Sequence, residues 1–154
     1  MAGTGSGRTY SIKEVAALVG LPPSTLRYYE EVGVIPAIAR DPSSGHRIYT
    51  EGDLELLTSV ACLSASGMAI ADMREFVRSG LGGDRDISEF ISLLEQQDVR
   101  LQEEAQIIEL RREFLRTKVE YWRAIKSGDA LEAERLDTRA RELAERLKLW
   151  TPRS

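Results

Sequence analysis

The residues of this chain best suited to chemistry are Ser11, then Ser24, Thr25, Arg27, Tyr28 and Tyr29, then Arg40, His46, Arg47 and Tyr49. They are not the parts of a reaction. His46 is the only histidine and Cys62 the only cysteine, and no Ser-His-acid set, phosphate-cradling glycine loop or metal cluster accompanies them. Hydrolytic, phosphoryl-transfer and metal chemistry are thereby disfavoured. The chain reads as a non-enzyme with no cofactor and no metal site. Arginine neutralises phosphates and reads guanine edges, a tyrosine hydroxyl suits phosphate, and Ser or Thr at a helix start sits beside free amides that attract an anion. This set points to nucleic-acid binding.

The formal net charge of -4 argues mildly against binding spread over the whole surface, but it does not locate charge. From Arg8 to Tyr49 the basic residues are Arg8, Lys13, Arg27, Arg40 and Arg47, and the acids are Glu14, Glu30, Glu31 and Asp41. That segment is near neutral, with its arginines on the elements expected to face a ligand. A lone cysteine allows no intrachain disulfide. No apolar run approaches the roughly 20 residues of a membrane span. The Gly/Ser-rich start, residues 1–9, reads as a flexible tail without the apolar core of a signal peptide, so a cytoplasmic protein is expected.

Positioning those residues requires two short helices, a turn and a loop. Ser11-Ile-Lys-Glu14 has the form of a capping box, and Ile12, Val15, Ala16 and Val19 recur at helical spacing before Gly20 stops the helix. Pro22-Pro23 opens a second helix running to about Val32, with Leu26, Tyr29 and Val32 inward and Ser24, Arg27, Tyr28 and Glu31 outward; Gly33 closes it. Asp41-Pro-Ser-Ser-Gly45, between Ile38-Ala-Arg40 and His46-Arg-Ile-Tyr49, predicts a small hairpin. A third helix is expected from Thr50-Glu-Gly-Asp53 to about Ser66, a fourth from about Ala69 to Arg78, and a flexible joint over Gly80–Asp84.

Beyond the joint the period changes. Ile87, Leu94, Leu101, Ile108, Leu115 and Trp122 recur every seven residues, with Ile91, Asp98, Ala105, Arg112 and Val119 interleaved. No Pro or Gly interrupts Ile87 to Lys126. At 1.5 Å per residue this predicts a helix of roughly 60 Å, whose apolar seam wants a second helix, most simply from another copy. Phe90, Leu93, Ile107, Phe114 and Tyr121 add a further apolar flank, so something else should pack there. Ser127-Gly-Asp129 breaks the helix, and Leu136, Ala140, Leu143, Leu147 and Trp150 predict a final helix, folded back on the long one or on a partner's head. The expected organisation is a tail at 1–9, a winged helix-turn-helix head at 10–80, a long dimerisation helix at 86–127 and a C-terminal helix at 129–150. The fold class is mostly α: four helices and a hairpin wing, then a coiled-coil helix and a short last one.

Leu26-Arg-Tyr-Tyr-Glu30, Gly33-Val-Ile-Pro36, Arg40 and Gly45-His-Arg-Ile-Tyr49, continuing through Asp53-Leu and Gly67-Met to Met73-Arg-Glu-Phe, resemble the MerR family of bacterial transcriptional regulators over about residues 9–80. The resemblance implies a homodimer joined by an antiparallel coiled coil. Each second helix would enter a major groove and each wing would lie on the backbone. It further implies binding to promoters with an overlong spacer, distortion of that spacer, and RNA polymerase as a partner at the promoter. Pro22, His46 and Ala69 depart from the family pattern, in which a Ser or Thr cap, a wing Tyr and a polar cap are common. The cysteine ligands of metal-sensing members are absent, and the C-terminal stretch is too short for the large drug-binding domain of others; no effector is legible.

Arg27 and Tyr28 are expected on DNA rather than merely in solvent, and Arg40, Arg47 and Tyr49 as backbone clamps in the wing. Tyr29 is divided between core ring and DNA-reaching hydroxyl, His46 between phosphate contact and bare surface, and Ser24 and Thr25 between phosphate contact and simple capping. Cys62 is read as a small buried hydrophobe rather than a sensor of oxidants or aldehydes. Tyr121, Trp122 and Trp150 are read as core rather than ligand pocket. The competing reading of the whole chain is a coiled-coil interaction module whose head has lost DNA binding.

Overall fold

A computed structural model describes residues 7–81 and 87–149. Most of the expected tail, the joint beyond Leu81 and Trp150 lie outside the described residues. Six helices are present among those described: α1 (Ile12–Val19), α2 (Pro23–Glu31), α3 (Glu51–Ala65), α4 (Ile70–Leu81), α5 (Ile87–Ser127) and α6 (Ala130–Leu149). They form two compact units, residues 1–94 and 95–154.

In the first unit the helix ends follow local chemistry. Ser11 Oγ accepts the Glu14 amide at 3.2 Å to start α1, and Gly20, at φ 72°, stops it by donating its N–H to Ala16 O. Gly33, at φ 77°, follows α2, and the chain then turns so that the Val34 and Ile35 amides both return to Tyr29 O. The full reciprocal capping box forms at α3, where Thr50 Oγ1 accepts from the Asp53 amide and Asp53 accepts from the Thr50 amide.

Helix α4 runs three residues past its expected end at Arg78. Glycine in a helix costs only about 1 kcal/mol, and packing outweighs it here. Phe90 stacks on Phe76 with ring centroids 4.7 Å apart, and a side chain at Gly80 would meet Phe90 at 3.4 Å.

Val15, Leu26, Val34, Tyr49, Leu57, Val60, Met73 and Val77 fill the core of this unit, with Tyr29, Ile35, Ile38, Leu63 and Met68 around them. Each such aliphatic side chain contributes roughly 1.5–3 kcal/mol through burial. The expected hairpin is held by one antiparallel bridge, Arg40 to Arg47, and a second bridge, Tyr10 to Tyr49, ties the chain before α1 to its far side.

In the second unit α6 folds back on α5 of its own chain, the first of the two arrangements expected. Gly128, at φ 75°, makes the reversal, and Asp129 Oδ1 caps α6 through the Glu132 amide at 3.0 Å. Leu110, Thr117 and Ala124 of α5 are buried, as are Ala133, Leu136, Ala140 and Leu143 of α6; Tyr121 packs against the Ala124–Ala133–Leu136 cluster. Arg139 of α6 donates to Glu113 of α5 at 2.5 Å.

Two expectations are corrected. Trp122 is not core but 60% exposed, because it lies on the heptad row rather than on the row that α6 covers. Cys62 is exposed rather than buried; on α3 the inward positions are Leu57, Val60 and Leu63, and Cys62 falls between them. Among the described residues no helix is long and apolar enough to cross a membrane, and no cluster of His, Cys, Asp and Glu is arranged to hold a metal ion.

Candidate nucleic-acid interface

The start of α1, the outer face of α2 and the wing converge. Ser11, Ile12, Arg27, Arg40, Gly45, His46 and Arg47 line one cleft of about 350 Å³. Five of the residues expected on DNA, drawn from three separate stretches of chain, thus share one concave surface. Ser24 and Tyr28 are exposed on the same helix as Arg27, and Thr25 is half-buried beside them. Pro22 has no side chain to cap α2, and its carbonyl takes the Thr25 and Leu26 amides.

The wing is a short stiff loop. Asp41 and His46 pair through the backbone at 2.8 Å, as do Ile48 and Ala39. Gly45, at φ 72°, makes the return, and Arg40 Nη1 donates to its carbonyl at 3.1 Å. Asp41 Oδ1 accepts from the Ser43 hydroxyl and from the Ser43 and Ser44 amides. The Ser43 hydroxyl first, then those amides, pull the Asp41 carboxyl down to about 2.

The bridge sets two arginines, Arg40 and Arg47, directly opposite each other, a repulsive pairing unless an anion intervenes. Glu30 at the end of α2 supplies one. Its Oε2 accepts from Arg47 Nε at 2.6 Å and its Oε1 from the Ile38 amide at 3.0 Å, and both side chains of the ion pair are mostly buried. Burial alone would raise the Glu30 carboxyl. The Arg47 hydrogen bond, the Ile38 amide and the charges of Arg47 and Arg40 outweigh it and hold the group below its ordinary value. Glu30 therefore locks the wing to the helix beside it. The described residues that line the cleft include three arginines, Arg27, Arg40 and Arg47, and no acid, a charge balance that suits phosphate.

Two expected contacts are elsewhere. The Tyr29 ring is buried, and its hydroxyl donates to Ser64 Oγ on α3 at 2.8 Å rather than reaching outward. Tyr49 is wholly buried, its hydroxyl included, so the structure places it in the core of the head rather than on the cleft. Sequence reasoning missed Glu30 as the anchor of Arg47. The two are 17 positions apart, and no local periodicity links them.

Comparison with known proteins agrees with this geometry. A family model described as MerR HTH family regulatory protein matches residues 10–80. An uncharacterised HTH-type transcriptional regulator of Haemophilus influenzae is 32% identical over 130 residues, covering 83% of this chain and 94% of its own. The crystal structure of HiNmlR, a MerR family regulator lacking the sensor domain, bound to promoter DNA, shares 30% identity with a TM-score of 0.54, over 84% of this chain and 96% of that one. A MerR family regulator from Bacillus cereus, 22% identical, shares the fold with a TM-score of 0.60 over 88% of this chain and 98% of its own. Proteins of this family regulate transcription and are not enzymes. With the winged cleft, the long helix and a relative matched over most of both chains, this chain belongs to the MerR family of transcriptional regulators.

Proposed function

We propose that this chain is a dimeric, sequence-specific regulator that binds promoter DNA, with α2 in the major groove and the wing on the phosphate backbone. The convergence of Ser11, Arg27, Arg40, His46 and Arg47 on one cleft carries the reading. Arg27 and Tyr28 project from the helix that would face base edges, and Arg40 is exposed on the loop that would follow the strand, with Arg47 held by Glu30 at its base. The promoter complex of HiNmlR supports the same use of the fold. Ile87, Leu94, Leu101, Ile108, Leu115 and Trp122 are each 40–65% exposed along α5, and that row is the surface a second copy would cover. Acting at a long-spacer promoter, two joined heads would distort the spacer and present it to RNA polymerase, in the cytoplasm.

The test is equilibrium binding to the promoter of the adjacent gene across a salt series. Affinity should fall steeply with salt and exceed that for random duplex by at least about 10³-fold. Arg27→Ala should cost about 1–3 kcal/mol, and replacing the exposed Arg40 by Ala should reduce the salt slope by roughly one. Promoter affinity no better than that for random duplex would favour an interaction module with an inactive head. Unchanged binding in both variants would remove the cleft as the contact surface.

A further inference from the structure

His46 is the only histidine of the chain, and the structure places it on the cleft. It follows the turn at Gly45, and its backbone is tied on both sides. Its carbonyl accepts the Asp41 amide at 2.8 Å, and its own N–H donates to Ser44 Oγ at 3.3 Å. The residue is exposed, and its imidazole has no hydrogen-bond partner among the described residues. A fixed backbone thus holds out a ring whose two nitrogens are unused.

Imidazole is the side chain whose charge ordinarily changes between about pH 5 and 8. Its surroundings decide what that change can do. The charged groups that share the cleft with His46 are all cations: Arg27 of α2, and Arg40 and Arg47 of the wing. The start of α1 brings Ser11 and Ile12, which do not titrate. The carboxylates that support the wing are engaged elsewhere, Glu30 with Arg47 and the Ile38 amide, and Asp41 with Ser43 and Ser44. The cleft therefore offers a proton on this ring no anion of its own. A phosphate supplies one. An imidazolium then donates to it in a charge-assisted hydrogen bond, roughly twice as strong as a neutral one. By reciprocity, what phosphate does for the proton, the proton does for phosphate.

We propose that His46 makes DNA binding proton-linked: each bound head takes up a proton on this ring as a phosphate enters the cleft, and gives it up on release. The inference rests on the DNA-binding reading above. Its sign follows directly. Affinity is highest where the ring is charged and falls as pH rises through the histidine range. The other groups of the wing titrate outside that window. Against burial, Arg47 and the Ile38 amide hold the Glu30 carboxyl below its ordinary value. The Ser43 hydroxyl, with the Ser44 and Ser43 amides, holds Asp41 at about 2, and burial pushes the Tyr49 phenol above its ordinary value. The wing and its anchor keep their charges between about pH 5.5 and 8.5, so a response there is carried by the imidazole.

The test is binding at fixed salt from about pH 5.5 to 8.5, with the promoter of the adjacent gene and random duplex as probes. Affinity of the parent chain for the promoter should fall by about tenfold per bound head as pH rises. Its salt slope should be steeper by roughly one per head at the acid end. His46→Gln, which cannot take a charge, should bind at the weaker level throughout, and His46→Lys, charged throughout, should bind without the pH response. Calorimetry near neutral pH, in two buffers of unequal protonation enthalpy, should show proton uptake by the parent that His46→Gln lacks. A flat parent profile, or a slope that persists in His46→Gln, overturns the proposal even while the promoter is preferred over random duplex. Loss of that preference at every pH removes the DNA-binding reading, and the proposal with it.

Discussion

At the scale of single residues, burial sorts side chains that look alike in the sequence. Tyr28, Tyr29 and Tyr49 have one composition and three fates: exposed on α2, buried with a hydroxyl bonded to Ser64, and wholly buried with a hydroxyl that has no partner. A buried hydroxyl left unsatisfied costs about 1–3 kcal/mol, whereas a made hydrogen bond contributes roughly 0.5–1.5 kcal/mol. Tyr49→Phe should therefore leave stability unchanged or raise it, with DNA affinity intact. Tyr29→Phe should lower stability by about 1 kcal/mol. Urea unfolding and a gel shift check both, and a weakened DNA complex in Tyr49→Phe would return that residue to the interface. Helical spacing does put Tyr29 on the inner side of α2, so its ring was legible. The destination of its hydroxyl was not, because Ser64 is 35 positions away. The same distance problem hid Glu30. Cys62 misled because Ala and Leu neighbours suggest a core position, although the inward face of α3 is set by Leu57, Val60 and Leu63.

At the scale of elements, glycine and capping residues wrote most of the boundaries in plain sight. Gly20, Gly33, Gly67 and Gly128 all adopt positive φ where a helix was expected to stop. The exception is α4, which continues through Gly80 to Leu81 beside the tertiary Phe76–Phe90 contact, something local propensity does not contain. The wing depends on Asp41, and its pH response follows from the sign of its shift. The folded carboxyl is depressed from 3.8 to about 2, so its contribution is present above the ordinary aspartate range and is lost as pH falls through about 2. An NMR titration of the Asp41 carboxyl should show that low midpoint in the folded protein. A midpoint near 3.8 would mean that the Ser43 and Ser44 bonds do not hold in solution.

At the scale of the whole molecule, the long helix α5 carries α6 on one side and an exposed apolar row on another. The heptad was legible because it persists over many turns, and so was the surplus flank. That Tyr121 packs against the α5–α6 cluster, while its neighbour Trp122 is exposed, needed the structure. If the exposed row is an intermolecular seam, the thermal midpoint should rise with protein concentration. Leu101→Asp should abolish that rise while leaving helical content largely intact. A midpoint independent of concentration in the parent chain would show that the row serves something other than self-association.

The reversal at Gly128 also fixes an order of events. Helix α6 meets α5 across a turn of only a few residues, so their contacts are close in sequence and form quickly, without waiting for another molecule. In the proposed dimer the encounter with a second copy would be bimolecular and slower at low concentration. A newly made chain would then present its exposed row on a helix already braced from behind. Association of two such copies would begin between ordered surfaces, with less conformational entropy left to lose.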